Sequence, residues 1–423
     1  MLRSMYSGVS GLLSHQKKMD IIGNNIANVN TTAFKSSNIV FEEVFSQLVA
    51  SAAQPTEDGR GGINPQQIGL GVSIGNITTN MSKGSIQTTD NPNDLAIDGE
   101  GFFVVTDGSG IYYTRAGSFN VDKDGSLVNG SGYKVMGWNK NPSTGNIDTS
   151  KPTEAVDFSN LKMQARSTTK VNLTGNLSSE TPQYDSENDE NAILHNLTIY
   201  DSLGESHTLT FKFMKNATAN GYSFALTESD STFEISAGST GGSVGFNSSG
   251  KLDATATTVP QVSLTFSNGA DNISFAAGSI TFDPISFTQY SNSTSVKSSQ
   301  DGYSSGELET LSISSDGQII GQFTNGLQDH VSTLAVSSFI NTNGLQKVGG
   351  NMFCTTWNSG DADVGTANTG ERGSIATSSL EMSNVDLATE FTEMIVTQRG
   401  FQANSRIISV SDELLEELVN LKR

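Results

Sequence analysis

The sequence has 423 residues, a length typical of two to four compact units, and 35% of its residues are hydrophobic. Its 24 basic and 44 acidic side chains give a formal net charge of −20, which argues against binding to nucleic acid or to an anionic membrane surface. The 43 glycines and the charged fraction of only 16% are typical of short strands joined by turns rather than of a helical enzyme.

The first element is an amphipathic helix over Met1 to Val29, because apolar residues recur there at steps of three, four and seven. Three glycines each cost this helix about 1 kcal/mol relative to alanine, so it needs a partner surface to be stable. The start also lacks the continuous apolar segment and cleavage site of a secretory signal. The apolar stripe consists of Leu2, Met5, Val9, Leu12, Met19, Ile22, Ile26 and Val29.

The helix is followed by the stretch NNIANVNTTAFK, residues 24–35, which has four asparagines in its first seven positions. Asparagine competes for backbone hydrogen bonds and favours turns over helices. We therefore predict a capped turn that redirects the chain outward from the helix, with Phe34 as its anchor. The residues of this signature turn are Asn24, Asn25, Asn28, Asn30, Thr31, Phe34 and Lys35.

Between the two ends the periodicity changes to two, and Asp-Gly and Asn-Gly pairs mark hairpins. We predict an inner β domain from residues 76–148 and 285–365, with an outer β domain, residues 149–284, inserted into it. Residues 36–75 and 366–384 contain glycine-rich polar stretches and are predicted to be linkers. No apolar run reaches the roughly 18 residues of a membrane-spanning helix, so we expect no membrane insertion.

The sequence offers little for catalysis or metal binding. The segment NVDKDG, residues 120–125, begins like a calcium loop, but the twelfth position is Ser131 rather than glutamate, so a hairpin turn is favoured. The four histidines are scattered, and no nucleophile or phosphate-binding motif is present. We therefore expect a protein that is not an enzyme and has no catalytic residue, cofactor or metal, and a buried structural thiol at the single cysteine, Cys354.

The last element is a second helix within residues 385–423, with Ser383 or Asn384 as its N-cap. Gln398, Ser405 and Asp412 are predicted to complete its apolar seam. Residues 1–35 carry a net charge of +3 and residues 386–423 a net charge of −3, so the two ends are electrostatically complementary. The apolar stripe consists of Leu387, Phe391, Met394, Phe401, Ile408, Leu415 and Val419.

These elements predict a mixed, mainly β fold: two or more antiparallel β domains nested in the chain, with N- and C-terminal α-helices pairing into a coiled-coil-like core. Two adhesive helical ends that are unstable alone favour assembly of copies. An intramolecular coiled coil that forms the stem of a single molecule is the alternative.

Residues 24–35 closely resemble the N-terminal signature of bacterial flagellar axial proteins, the family of rod, hook and hook-associated proteins. The blocks DLAIDGEGFFVV, YYTRAGSFNVDKDGSLV and SNVDLATEFTEMIVTQRGFQANSRIISVSDELLEELVNLKR are similar to further blocks of that family. The additional outer domain and the block at residues 298–326 resemble the hook members. One departure is Ala33, where many relatives have glycine, which suggests a turn without a positive φ.

The resemblance implies a structural subunit of the flagellar hook, a tubular extracellular homopolymer that acts as a flexible joint and transmits torque from rod to filament. It implies export by the flagellar type III apparatus without a cleavable signal. Rod proteins, the hook cap and hook–filament junction proteins are the implied partners. A distal rod protein is the alternative within the family, and a secreted glycan-binding or adhesive β protein is the alternative outside it.

Overall fold

The computed structural model describes residues 2–52, 61–141, 144–159, 161–185, 190–217, 220–228, 232–236, 241–276 and 278–420, without the side chains of Leu2 and Leu418. The chain divides into two compact units. Unit 1 comprises Met1–Asn160, Ser312–Ile320 and His330–Arg423, and unit 2 comprises Leu161–Leu311 and Gly321–Asp329.

Two long helices lie at the ends of the chain, as predicted. Helix α1 spans Leu2–Ala27 and helix α2 spans Leu387–Asn420, and a short 3-10 helix covers Thr342–Gly344. The first helix ends two residues before the predicted end, because the amide-rich turn begins at Asn28.

Twelve strands of the described chain precede residue 160, all in unit 1. They are β1 Ser37–Glu43, β2 Ser46–Ala50, β3 Gln66–Gly69, β4 Val72–Thr79, β5 Ile86–Thr88, β6 Leu95–Asp98, β7 Phe102–Thr106, β8 Ile111–Thr114, β9 Phe119–Val121, β10 Leu127–Asn129, β11 Lys134–Asn139 and β12 Glu154–Ala155.

Twelve further described strands belong to unit 2. They are β13 Lys162–Met163, β14 Val171–Asn176, β15 Ile193–Tyr200, β16 Ser206–Lys215, β17 Gly221–Glu228, β18 Phe233–Ile235, β19 Gly241–Phe246, β20 Leu252–Thr258, β21 Val262–Phe266, β22 Ile273–Phe275, β23 Ile280–Thr288 and β24 Ser295–Gln300.

The last eight described strands begin in unit 2, which still holds most of β25 and the second half of β26, and end in unit 1. They are β25 Gly306–Ile313, β26 Gln318–Phe323, β27 Gln328–Ser338, β28 Gln346–Gly349, β29 Met352–Cys354, β30 Asp363–Thr366, β31 Ser374–Thr377 and β32 Ser379–Glu381.

The main sheet of unit 1 is antiparallel, in the order β27-β11-β7-β8-β29-β28. One face buries an aromatic cluster in which Phe339 meets the rings of Phe102 and Tyr113 edge-on at 5.7 and 4.8 Å. The segment 120–125 belongs to a hairpin, as predicted: its first two residues end β9, and the others lie in the turn before β10. Cys354 is a free cysteine and is only half-buried, so the expectation of full burial is wrong.

The segments predicted to be linkers contain ordered strands. In residues 36–75, β1 pairs with β4 and β2 pairs with β3, which makes a two-stranded ribbon. In residues 366–384, β31 pairs with β6 and β32 pairs with β5. The glycine-rich, polar composition of these segments resembles that of linkers. Their pairing partners are also not adjacent in sequence, so no local pattern indicated the strands. The predicted linker stretch at residues 53–60 lies outside the described residues.

Unit 2 holds a five-stranded antiparallel sheet, β15-β16-β17-β19-β20, and three-stranded sheets β23-β14-β24 and β18-β21-β22. Its core is rich in phenylalanine, and Phe211, Phe213, Phe224 and Phe287 are at most 1% exposed. The unit extends to residue 311 because β24 pairs with β14, whereas the sequence prediction ended the outer domain at residue 284. The mainly β fold class with terminal helices is confirmed.

Candidate assembly interface

The two terminal helices pack against each other in antiparallel orientation. Gly8 lies beside Ile408 near one end of the pair, and Asn25 Nδ2 donates a hydrogen bond of 2.9 Å to Glu390 Oε1 near the other. Between them, Lys18 Nζ lies 3.0 Å from Glu393 Oε2. The predicted attraction between a basic first helix and an acidic last helix therefore has a direct contact.

Small residues set the close approach of the helices. A Cβ atom on Gly11 would lie 2.7 Å from Nδ2 of Asn404, and one on Gly400 would lie 2.6 Å from the His15 ring. Two of the glycines that weaken α1 as an isolated helix, Gly8 and Gly11, are therefore contact points. Sequence reasoning counted only their cost.

The buried seam of α2 repeats every seven residues, and apolar layers alternate in it with layers of polar residues. The apolar layers are the predicted Met394, Phe401, Ile408 and Leu415, all half-buried. The polar layers between them are Thr397, Asn404 and Ser411. The prediction of Gln398, Ser405 and Asp412 for these layers is wrong, because all three are exposed one position farther round the helix.

The predicted stripe on α1 divides into buried and exposed residues. Ile22 is buried, and Met5, Leu12, Met19, Ile26 and Val29 are half-buried, whereas Val9 is 43% exposed. On α2, Leu387, Phe391 and Val419 are exposed by 40%, 50% and 69%. These four exposed residues do not contribute to a buried seam within one chain.

The N-cap of α2 is Asp386 rather than Ser383 or Asn384. Its Oδ1 accepts the Ala388 N–H at 3.0 Å, and its Oδ2 accepts the Thr389 hydroxyl at 2.8 Å. These hydrogen bonds, the Thr389 hydroxyl first, lower the pKa of the Asp386 carboxyl. A carboxylate at this position also lies at the positive end of the helix dipole.

Helix α2 carries a second apolar stripe that the described part of this chain leaves uncovered. Val396, Ile407, Val410 and Leu414 are 63%, 43%, 52% and 46% exposed. They recur at heptad-compatible steps and lie about a third of a turn from the seam against α1. We name these four residues the open stripe.

The ribbon of β1 to β4 lies along α1. Ser10 Oγ accepts the Val72 N–H at 3.3 Å, and the His15 ring meets Phe41 edge-on at 5.6 Å. The ribbon also carries many exposed apolar side chains. These are Val40, Val44, Phe45, Leu48, Val49, Ile63, Ile68, Leu70, Val72 and Ile77, where Ile63 lies just before β3.

The signature turn reverses the chain rather than directing it outward. Asn25 is buried and exchanges two hydrogen bonds with the backbone of Ser37, at 2.9 and 3.0 Å, which starts β1 back along α1. Asn28 Nδ2 donates to the carbonyl of Asn24, and Asn28 Oδ1 accepts the Thr31 hydroxyl. Asn24 and Asn30 are exposed.

Ala33 has φ of +58° and is buried, so the turn does require a left-handed residue. The inference that alanine here signals an ordinary φ is wrong. Its N–H donates to the Glu381 carbonyl at 2.7 Å, and Asn351 Nδ2 donates to the neighbouring Thr32 carbonyl at 2.8 Å. Contacts from distant parts of the chain hold the strained conformation.

Lys35 ends the turn inside a buried group of charges. Its Nζ lies 2.6 Å from Glu381 Oε1 and donates to the Ser82 carbonyl at 2.7 Å, while Arg115 Nη1 lies 3.4 Å from Glu381 Oε2. The side chains of Lys35, Arg115 and Glu381 are 1%, 5% and 0% exposed. Burial lowers the pKa of Lys35, and Glu381 opposes that shift by hydrogen bonding and charge.

Phe34 is buried, as predicted for the anchor of the turn, and Lys347 Nζ lies 5.3 Å from its ring centre. Asn384, predicted from the sequence only as a cap, accepts the Ser36 N–H at 2.8 Å and donates to the Asn80 carbonyl at 2.8 Å. The signature turn is therefore joined to the main sheet of unit 1 and to the segment before α2.

Sequence reasoning missed Glu381, Arg115, Lys347 and Asn384 as partners of the turn. A charged residue has no periodic signal, and these partners are far away in the chain. The one sequence signal was Lys35 itself, a lysine that directly follows an apolar aromatic residue.

A separate cluster in unit 2 brings together Asp201, Glu205 and His207, whose candidate ligand atoms lie within 4.8 Å of one another. Asn268 Nδ2 donates to both carboxylates, at 2.6 and 2.8 Å. These hydrogen bonds hold the two carboxylates close together. None of the described helices is long and apolar enough to cross a membrane.

Four family models match in chain order. They are Flagella basal body rod protein at residues 5–35, Flagellar hook protein FlgE/F/G D1 domain at 96–177, Flagellar basal body protein FlaE D2 domain at 187–303, and Flagellar basal body rod FlgEFG protein C-terminal at 376–421. Together they define the class of flagellar rod and hook proteins.

The chain is 37% identical to the flagellar hook protein FlgE of Borreliella burgdorferi over 100% of both chains. It is 33% identical to the flagellar basal-body rod protein FlgG of Bacillus subtilis, also over 100% of both. A crystal structure of Helicobacter pylori flagellar hook protein FlgE2 matches its fold with a TM-score of 0.51 and 15% identity, over 70% of this chain and 100% of that one. The chain belongs to the flagellar hook protein family.

Proposed function

We propose that this chain is the structural subunit of a flagellar hook and that copies assemble into a tube through the terminal helices and the ribbon. The proposed assembly surface rests on one observation, the open stripe. It is an apolar face of α2 that α1 leaves uncovered. Soluble chains rarely expose large contiguous apolar patches unless another molecule covers them.

The first half of α1 also exposes apolar side chains. Tyr6, Val9 and Leu13 are 73%, 43% and 60% exposed, and they lie in the half of α1 that pairs with the C-terminal half of α2. A heterologous contact between this face and a different face of the next copy generates a ring or a helical filament. The tube is the form we propose.

The partners, the export route and the mechanical role are proposed from membership in the hook protein family. Rod proteins, a hook cap and hook–filament junction proteins are the proposed partners at the two ends, and the type III apparatus is the proposed route of export. The proposed role is a flexible joint that passes torque from rod to filament. A distal rod subunit is a second candidate, favoured by the full-length similarity to the Bacillus rod protein.

Removal of residues 1–35 or residues 386–423 tests the assembly proposal. We expect the full chain to form tubes by electron microscopy and to sediment as a polymer, and both truncated chains to remain unassembled while unit 2 keeps its hydrogen-exchange protection. Equal behaviour of the full and truncated chains would refute it. Expression in cells that lack either the hook or the distal rod subunit separates the two candidates, because only the matching defect is repaired.

A further inference from the structure

Two large apolar side chains of unit 1 stand almost wholly in solvent. Trp357 is 106% exposed and Ile340 is 98% exposed. The only other tryptophan of the sequence, Trp138, is 5% exposed and donates its indole N–H to the Lys151 carbonyl at 2.8 Å. Tryptophan is the residue with the most apolar area to bury, so its full exposure on a folded surface requires a reason.

The loop that carries Trp357 is tightly built. The Thr356 hydroxyl donates to the Gly344 carbonyl at 2.6 Å, and the Thr356 N–H donates to Ser359 Oγ at 3.0 Å. Ser359 is 1% exposed, and its own hydroxyl lies 2.8 Å from the Thr356 carbonyl. The backbone on both sides of Trp357 is therefore fixed, while no apolar neighbour among the described residues covers its side chain.

The segment that carries Ile340 is anchored beside this loop. Phe339, directly before it, is buried in the aromatic cluster of unit 1. Directly after it, Asn341 Nδ2 donates to the Asn358 carbonyl at 2.9 Å. Ile340 and Trp357 thus flank one hydrogen bond, and we name these two residues the apolar knob.

We propose that the apolar knob of one copy docks on the ribbon of a second copy in the polymer, an inference that rests on the proposed function. Heterologous assembly needs two different surfaces on each copy, one that inserts and one that receives. The ribbon is the described surface outside the helices where exposed apolar side chains concentrate, and Val44, Phe45 and Leu48 are 51%, 70% and 52% exposed. Preformed aromatic anchors are typical binding hot spots because they lose little entropy on docking.

A single-tryptophan chain tests this docking directly. Trp138→Phe leaves Trp357 as the sole tryptophan, so its fluorescence reports on the knob alone. In the unassembled chain we expect emission at long wavelength and full quenching by acrylamide. In tubes we expect a shift to shorter wavelength and a several-fold smaller quenching constant.

Tubes in which Trp357 stays as quenchable as in the unassembled chain would overturn the docking inference and leave the proposed function intact. Failure of the parent chain to form tubes would instead count against the proposed function. If Trp138→Phe disturbs folding, a photo-crosslinking residue at position 357 in a mixture of isotope-labelled and unlabelled chains replaces it. We expect crosslinks from position 357 to ribbon peptides of the other chain, and crosslinks confined to one chain would also overturn the inference.

The double variant Ile340→Ser with Trp357→Ser gives the functional readout. We expect the concentration needed for tube formation to rise at least several-fold, with hydrogen exchange of the unassembled chain unchanged. Ile285→Ser is the matched control, because Ile285 is 87% exposed in unit 2 and lies outside the knob. An equal shift in the control and in the double variant would contradict a specific role for the knob.

Discussion

Unit 2 and the terminal part of unit 1, which comprises α1, α2, the signature turn and the ribbon, are stabilised in different ways. Unit 2 buries a phenylalanine core: the Phe213 ring centre lies 6.2 Å from that of Phe224 and 6.3 Å from that of Phe287. The terminal part instead joins distant segments through buried charges, amides and glycines, and it exposes most of the uncovered large apolar side chains of the described residues. Unit 2 buries its aromatic side chains within one chain, whereas the terminal part leaves apolar surface exposed, which we propose other copies cover.

The largest expected effect is at Glu381. Glu381→Gln removes the charge that faces the buried Lys35 and Arg115, and uncompensated buried charge typically costs about 3 to 5 kcal/mol. We expect hydrogen exchange to show that loss in the terminal part and no change in the core strands of unit 2.

Glu307→Gln is the control for this variant, because the Lys162–Glu307 pair, 3.0 Å apart, is largely exposed. Exposed pairs contribute at most about 1 kcal/mol. If the Glu381 variant lost no more protection than this control, or lost it equally in both units, the two regions would not differ as described.

Substitutions of two glycines in α1 are expected to have smaller effects on stability, and these effects have opposite signs. Gly11→Gln forces a side chain against Asn404 and is expected to cost about 1 to 3 kcal/mol of helix pairing through overpacking. A Cβ atom on Gly23 would meet no atom of the described residues within 4 Å, so Gly23→Gln is expected to gain up to about 1 kcal/mol from helix propensity. Thermal unfolding followed by the helical circular dichroism signal measures both, and two changes of the same sign would argue against close packing at Gly11.

Ala33→Gly is expected to stabilise the signature turn by about 0.5 to 1 kcal/mol, because glycine adopts the observed φ of +58° without a Cβ penalty. Ala403→Gly, at an exposed position inside α2, is expected to destabilise by a similar amount. Denaturant midpoints of the two variants measure the difference. A lower midpoint for Ala33→Gly would mean that burial of the alanine methyl group outweighs the backbone strain.

The smallest expected effect is the pH dependence of the helix pair. Burial, and then the charge of Lys18, lower the pKa of His15, whose Nδ1 is buried without a hydrogen-bond partner among the described residues. The unfolded chain therefore takes up a proton near the ordinary value of about 6.5 before the folded chain does, so stability falls as pH drops below that value. We expect His15→Gln to flatten the pH dependence of the helical unfolding midpoint, and an unchanged slope would exclude His15 as its source.

The sequence was informative where structure is periodic or locally coded. Helical spacing predicted α1 and α2, and Asp-Gly and Asn-Gly pairs predicted the hairpins. Phe34, which the sequence predicts as the anchor of the turn, is buried. The charge of the ends predicted their attraction, which Lys18 and Glu393 make directly.

Long-range pairing was not predictable in the same way. The strands of the ribbon, β31 and β32 have partners that no local pattern reveals, and the buried contact of Lys35 with Glu381 joins residues 346 positions apart. The polar positions of the α2 seam were predicted one residue too late in the sequence. Thr397, Asn404 and Ser411 are polar, so the spacing of hydrophobic residues does not identify them.

The most direct test of the central claim is a variant of the open stripe, Ile407→Gln with Leu414→Gln, examined by electron microscopy under conditions in which the parent chain assembles. The control carries Leu194→Gln and Ile285→Gln, two residues of unit 2 that are 64% and 87% exposed. We predict that the stripe variant keeps the hydrogen-exchange pattern of the unassembled parent but forms no tubes, while the control assembles normally. Tubes of the stripe variant at the parental concentration would contradict assembly through this face.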